Sequence, residues 1–418
     1  MREAVLVVNA GSSSIKFAVY AVPAGPGQVE DPEQLLRGRI ESIGREPRLS
    51  VRGAGGEIVA DEALQVDADH GRLLARVLEW IDDHLGPAAL VACGHRVVHG
   101  GPDFAAPVPI DGDVRERLEA LVPLAPLHQP VNLAGVDAVL AMRPGLPQVA
   151  CFDTAFHRGH PEVADWYALP ARFHEEGVRR YGFHGLSYQY VARRLRATQP
   201  DVASGRLVVA HLGSGASMCA LHAGRSIDST MGFTALDGLV MGTRPGQLDP
   251  GVVLHLIDHY GLSTSEVAHL LYHDAGLRGV SGMSGDMRDL QASPDAGARR
   301  AVALFVHRVV RELGALAASL RGLDALVFTA GIGERSALVR ERVCRAASWL
   351  GIDLDAEANR EGGPRITTPS SRVSAWVVPT DEERMIAVHT LEALGIGPET
   401  EASSGPSAAS ATPCPSRS

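Results

Sequence analysis

The feature that most constrains the fold is a pattern written twice, half a chain apart. Val5 to Tyr20 reads VLVVNAGSSSIKFAVY, and residues 206–224 read RLVVAHLGSGASMCALHAG. Each is an apolar run, a cluster of small residues and a second apolar run, the signature of two strands joined by a tight turn. Aligned, Asn9 falls opposite His211, Gly11 opposite Gly213 and Ser12 opposite Ser214, a constant offset of 202 residues. An offset of about half the chain predicts two similarly folded halves rather than a short-period solenoid. A small-residue turn gathers backbone N–H groups and hydroxyls into one concavity, which suits an anion. Lys16, the single lysine among 39 basic residues, stands beside the first turn. A chain that otherwise uses arginine keeps one compact point charge there.

At 418 residues the chain is long enough for two or more domains with ample core. Its net charge of −10 argues against non-specific binding to nucleic acid or anionic membranes. The five cysteines are scattered without CxxC or metal-like spacing, so a reducing, cytoplasmic location is expected. The N-terminal apolar run is too short for a signal peptide, and no window reaches the length of a membrane span. GIGERS is not a dinucleotide fingerprint, because Ser336 occupies the third glycine position, and a P-loop is excluded because the sole lysine follows Ile15.

Periodicity supplies the intervening elements. LLRGRIESIG and RLSVRGAGGEIVAD alternate as strands that continue an antiparallel sheet. Apolar spacing predicts a helix over 71–84 and a long one over 297–321. ALVACGHRVVHGG reads as a buried strand ending at Arg96, and PQVACFDTAFH as one whose end carries Asp153. DALVFTAG reads as a strand running into a glycine turn, GIGERS, and WVVPTDEERMIAVHTLEAL as strand, acidic turn and helix. The Ser/Ala/Pro-rich residues 399–418 read as a disordered tail.

VNAGSSSIKF, GHRVVHGG, LAPLH, CFDTAFH, RRYGFHG, HLGSGAS, MGTR, FTAGIGE and PTDEE occur in one order over about residues 4 to 395. Together they resemble the acetate kinase family, of the superfamily that includes sugar kinases, actin and heat-shock chaperone ATPases. The resemblance implies an α/β protein of two similar ribonuclease H-like domains, an actin-like ATPase duplication with the active site in the cleft between them. Residues 1–150 with 383–398 would form one domain and 151–382 the other. It implies phosphoryl transfer from ATP to acetate, giving ADP and acetyl phosphate, with Mg²⁺ or Mn²⁺, in a homodimer.

The same resemblance assigns roles by position. Arg96, Arg244, Asp153 and His184 would be catalytic, with His184 and Arg244 stabilising the transition state and His128 and His211 in support. Arg96, Val98, Leu127, Phe183 and Ala235 would bind the acid. Ser12, Ser14, Lys16, His211, Leu212, Gly213, Ser214 and Gly215 would meet the phosphates of ATP, the turn extending to Ser217. Asp286, Met287, Arg288, Gly331, Ile332, Gly333 and Glu334 would surround the adenosine. Asn9, Asp153 and Glu382 would hold the metal, with Glu383 the neighbouring alternative.

The chemistry asks for such a set. A small carboxylic acid is already ionised at neutral pH, so no strong base is needed. An anion must attack a polyanion, which calls for cations and donors that neutralise both and hold them in line. Several positions depart from the family's usual pattern: Ser214 for asparagine, Pro245 and Gln247 in TRPGQ for TRSGD, GLSY for GTSH after His184, and Ala235 for proline. Alanine enlarges the pocket for the acyl group, so propionate or butyrate is an alternative acceptor. A non-catalytic nucleotide-binding protein is the alternative of another class.

Overall fold

The computed structural model describes residues 3–11, 14–23, 31–66, 68–85 and 90–396. The expected phosphate-turn residue Ser12 and the tail 399–418 lie outside them. The first sheet holds β1 (Ala4–Ala10), β2 (Ile15–Ala21), β3 (Gln34–Glu41), β4 (Arg48–Gly53), β5 (Ile58–Ala63), β6 (Leu90–Val97), β7 (Val108–Pro109) and β8 (Gln148–Phe152). Their order is β5-β4-β3-β2-β1-β6-β8-β7. The second holds β9 (Arg206–Leu212), β10 (Ala216–His222), β11 (Arg225–Ser229), β12 (Ala325–Thr329) and β13 (Ser374–Val377), in the order β11-β10-β9-β12-β13.

The five strands of the second sheet match the run β3-β2-β1-β6-β8 of the first. In both, the opening hairpin is antiparallel and the next two strands join in parallel on the far side. The duplication read from the sequence is therefore a duplication of topology. The register refines it: Ala10 pairs with Ile15, whereas its counterpart Leu212 pairs with Ala216. The second turn is one residue shorter, so Lys16, opposite Asn9, corresponds to Ser217, opposite His211.

Hydrophobic patterning places the helices. β1 is buried at every residue, as a central strand covered on both faces must be. The final helix, Glu382–Leu394, packs Met385, Ile386 and Val388 on Val7, Ala18 and Val149 of the first sheet. Its close approach depends on Gly94, where a Cβ would stand 2.1 Å from Thr390 Oγ1. The long helix Ala296–Ser319, capped by Asp295, puts Phe305, Val309 and Leu313 into the core of the second half. GIGERS differs from expectation: Ala330–Arg335 is a short helix entered through Ala330 in a left-handed conformation, φ 62°.

One helix joins the halves. Gly185–Thr198 buries Tyr188, Val191 and Leu195 against β9, β10 and β12, while Leu186 packs with Val7 and Val149 of the first sheet. Its N-terminal end is pinned to the first sheet, since the Gly185 N–H donates to the Asp153 carbonyl at 2.8 Å. His184, immediately before it, is thereby fixed between the two sheets.

Candidate active site

Arg96, near the end of β6, and Asp153, just past the end of β8, come together because the two strands are parallel neighbours. The guanidinium donates through Nη2 at 2.5 Å and Nε at 3.1 Å to the carboxylate, and through Nη1 to Asn9 Oδ1 at 3.2 Å. Burial pushes the Asp153 carboxyl up and Arg96 pulls it back; Glu382 adds to the upward push. Arg96 in turn loses by burial but gains more from Asp153 and Glu382, and stays charged. Sequence reasoning set Arg96 on substrate and Asp153 on metal; here the two are bound to each other. The pairing is tertiary and left no local signal.

Arg244 is the contrasting cation. It makes no ion pair with any described residue, and Nη1 donates to the Ala235 carbonyl at 2.7 Å. Burial, and then the like charge of Arg96, lower its pKa from the ordinary value. The turn between β9 and β10 passes beside it at Gly215, where a Cβ would lie 2.9 Å from Arg244 Nη2 and 3.4 Å from His184 Nε2. A side chain there would occupy the point on which a fork and an imidazole converge.

Three histidines feel the charge of one or both arginines, and all are neutral near pH 7. Burial, with Arg244 and Arg96, takes His128 down to about 4; burial takes His211 to about 4; His184 falls well below its usual value, from burial, His211 and the two arginines. His184 and His211 stack at 4.2 Å. His184 holds φ 58°, an uncommon conformation for a residue with a Cβ, kept by the pinned helix start.

Hydroxyl partners fix the His184 proton. Ser217, expected at the ATP phosphates, is instead buried, with Oγ 2.8 Å from His184 Nδ1 and 2.5 Å from the Tyr188 hydroxyl. Tyr188 has no other hydrogen-bond partner among the described residues, so its phenol must donate to Ser217 or lie unsatisfied. Ser217 then donates to Nδ1, and the imidazole proton sits on Nε2, facing Gly215. Tyr188 was legible only as a departure from the usual GTSH. Tyr188→Phe is expected to lower kcat about tenfold, the effect of ~1.4 kcal/mol, with the KM values for ATP and acetate unchanged. A change in thermal stability with kcat intact would assign Tyr188 to packing alone.

Seven of the residues expected at the nucleotide gather around a cavity of about 400 Å³. Gly213, Ser214, Asp286, Met287, Arg288, Gly331 and Ile332 line it, from three separate segments. Sequence reasoning missed Gln291, Arg335 and Ser336, which also line it. Leu212 is core, Gly333 is buried, and Glu334 accepts the Thr380 N–H at 3.1 Å, so these three support the wall rather than form it. Ser187 Oγ ties His211 Nδ1 to Thr380 Oγ1, each at 2.8 Å. Among the acid-pocket residues, Val98, Phe183 and Ala235 share one apolar cluster, whereas Leu127 is 39% exposed and outside it.

The described residues hold no group of three His, Cys, Asp or Glu that would bind a metal alone. Glu382 makes no hydrogen bond or ion pair with a described residue, yet acts electrostatically on both Asp153 and Arg96. Glu383 lines a different cavity, with Lys16 and Arg335.

The profile of the Acetokinase family matches residues 4–388. An acetate kinase of Nitrobacter hamburgensis is 54% identical over 394 residues, covering 94% of this chain and 96% of that protein. Among solved structures, a propionate kinase from Francisella tularensis superposes with TM-score 0.86 at 35% identity, covering 93% of this chain and 99% of its own. An acetate kinase from Porphyromonas gingivalis gives 0.82 at 37%, covering 94% and 100%.

Proposed function

The chain belongs to the acetokinase family, and from this we propose how its cleft carries a phosphoryl group from ATP to acetate. The activity is ATP-dependent phosphorylation of a carboxylate, giving acetyl phosphate and ADP. The carboxylate oxygen bonds to the γ-phosphorus as the bond to the β-phosphate oxygen breaks, and no proton is transferred. Arg244 carries this reading: it is an enclosed cation with no carboxylate partner among the described residues, beside the turn whose Gly213 and Ser214 line the nucleotide cavity. Its fork suits a carboxylate or phosphoryl group. The His184 Nε2 proton supports the equatorial oxygens, and the Arg96–Asp153 pair supplies fixed donors with little net charge.

Mg²⁺ fits these residues as a cation shared with ATP. Such an ion takes one or two carboxylates and completes its shell with phosphate oxygens and water. We assign Glu382 and Asp153 to it, with Asn9 close by through Arg96. When bound, the ion draws charge from the phosphoryl oxygens. Ser14 belongs to the first turn and Lys16 stands just past it in β2, and closure of the two halves would exclude water.

Ala235 favours a broader acid range. It packs on the cluster that holds Val98 and Phe183, where proline is usual. Trapping acyl phosphate as hydroxamate with acetate, propionate and butyrate tests the function and its range together. Acetate turnover is expected, with propionate kcat/KM within about tenfold of it, because one methylene is worth ~1–3 kcal/mol in a closed pocket. Ala235→Pro should lower propionate relative to acetate. Propionate about two-hundredfold or more below acetate would sink the enlarged pocket, and no acyl phosphate from any acid would sink the kinase.

A second copy of the chain is the proposed partner. The helix Pro250–Asp258 carries Val252, Val253, Leu254, Leu256 and Ile257 but buries none of its residues. Leu254 is 60% and Tyr260 66% exposed. Such an apolar face marks an interaction surface. Light scattering should give a dimer, and Leu254→Asp a monomer; a dimer that survives unchanged would place the contact elsewhere. The buried free thiols of Cys93, Cys151, Cys219 and Cys344 support a reducing, cytoplasmic compartment. No helix among the described residues is long and apolar enough to cross a membrane.

A further inference from the structure

The outer strands of the first sheet carry cations in an arrangement that sheet pairing disfavours. On one face, Lys16 stands directly opposite Arg39, and Arg37 directly opposite Arg52. Like charges in such positions repel, while opposite charges there stabilise. Immediately beyond, the same face obeys the ordinary pattern: Glu41 is opposite Arg48, and Arg48 pairs with Asp61 at 2.6 Å. The exception is confined to the stretch that lines a cavity of about 420 Å³ between this face and Arg335 of the second half. Two carboxylates, Asp381 and Glu383, line the same cavity, and Arg37 acts electrostatically on Asp381; the cations still outnumber the acids five to two, and of the five only Arg39 has an ion-pair partner among the described residues, Glu41.

A solvated sheet face explains exposed arginines, but not why opposed pairs are kept only within a cavity. The other face of these strands is ordinary core, with Phe17, Ile40 and Val51. Neighbouring strands lie about 4.8 Å apart and alternate residues along one strand about 7 Å apart, so four cations cover a patch the size of a few linked phosphates. The apolar side chains on this face are Ala18 and Tyr20, and the Tyr20 ring is already engaged, its hydroxyl donating to Asp381 and the Arg384 guanidinium lying over its face, so it offers no free platform for a base. We propose that this cavity is a second anion site, distinct from the nucleotide cavity, for a condensed phosphate such as tripolyphosphate or pyrophosphate.

The site is coupled to the nucleotide. Arg335 lines both cavities, and Lys16 lies at the first phosphate turn. Two polyanions drawing on the same cations weaken each other's binding, and the effect is reciprocal. A condensed phosphate here would raise the KM for ATP. This coupling rests on the nucleotide reading above; binding itself does not.

The test is calorimetric titration of tripolyphosphate into the full chain at fixed ionic strength, without nucleotide, acid or metal, beside Arg37→Gln/Arg52→Gln. The parent is expected to bind at one saturable site and the variant about tenfold or more weaker, since each arginine supplies a charge-assisted contact. The variant should also unfold at an equal or higher temperature, because the repulsion is gone, with kcat and the KM for ATP unchanged when no polyphosphate is present. Equal affinity in parent and variant would mean that the ligand occupies the nucleotide's phosphate positions, and would overturn the proposal. Binding by the parent no stronger than that of sulfate at the same ionic strength would reduce it to a diffuse positive field.

Discussion

Arg244→Ala is expected to lower kcat for acetyl phosphate formation by about a thousandfold or more, the range found when a charge-stabilising arginine is removed from phosphoryl transfer. The fold should survive. Arg244 has no carboxylate partner among the described residues, so its removal strands no buried negative charge; it releases only the Ala235 carbonyl. Nucleotide affinity should change little, because the cavity that holds Asp286, Met287 and Ile332 does not include position 244. Arg244→Lys should recover only a small part of the rate, since an ammonium restores charge but not the two-oxygen fork. Direct binding of ATP, thermal unfolding and single-turnover phosphoryl transfer separate these effects. A variant that retains a tenth or more of the parent's kcat would remove Arg244 from the transition state.

The parts of this arrangement differ in how they are written. The halves were legible because a strand, a small-residue turn and a strand are local, and β1–β2 and β9–β10 repeat them with the same topology. The one-residue difference between the turns was not legible, because an ungapped alignment carries the 202-residue offset through the second strand. Register shows that the partner of Lys16 is Ser217, and so explains why one half presents an ammonium where the other presents a hydroxyl that orients His184. Arg96 and Asp153 were each identified, but their union depends on β6 and β8 lying side by side. Arg335 and Gln291 join the cavity proposed for the nucleotide only because the helices Ala330–Arg335 and Met287–Ala292 both border it. Side chains that act through tertiary neighbours are the ones sequence spacing leaves out.

Arg96→Ala is expected to differ from Arg244→Ala in kind, losing activity and stability together. It removes the donors of a carboxylate whose side chain is 2% exposed, and breaking a buried pair in this way costs about 3–5 kcal/mol. The loss should depend on pH in a definite direction. Burial already pushes Asp153 upward, and Arg96 is the main force opposing it. With Arg96 gone, the folded-state pKa rises further above the unfolded value. A carboxyl raised in this way contributes stability that is full below its unfolded pKa and is lost as pH rises through its folded pKa. The deficit of the variant relative to the parent should therefore be largest at neutral pH and shrink on acidification towards about pH 5, still above the unfolded carboxyl value. Removing both partners, Arg96→Ala/Asp153→Ala, should restore most of the stability at pH 7 and none of the activity, because the stranded charge is gone but the fixed donors are still missing. Urea unfolding of the parent, the single and the double variant at pH 5 and 7 reads all of this. A double variant no more stable than the single would mean that Arg96 supports the fold through packing, and that the pair is not what holds β6 and Asp153 together at the floor of the cleft.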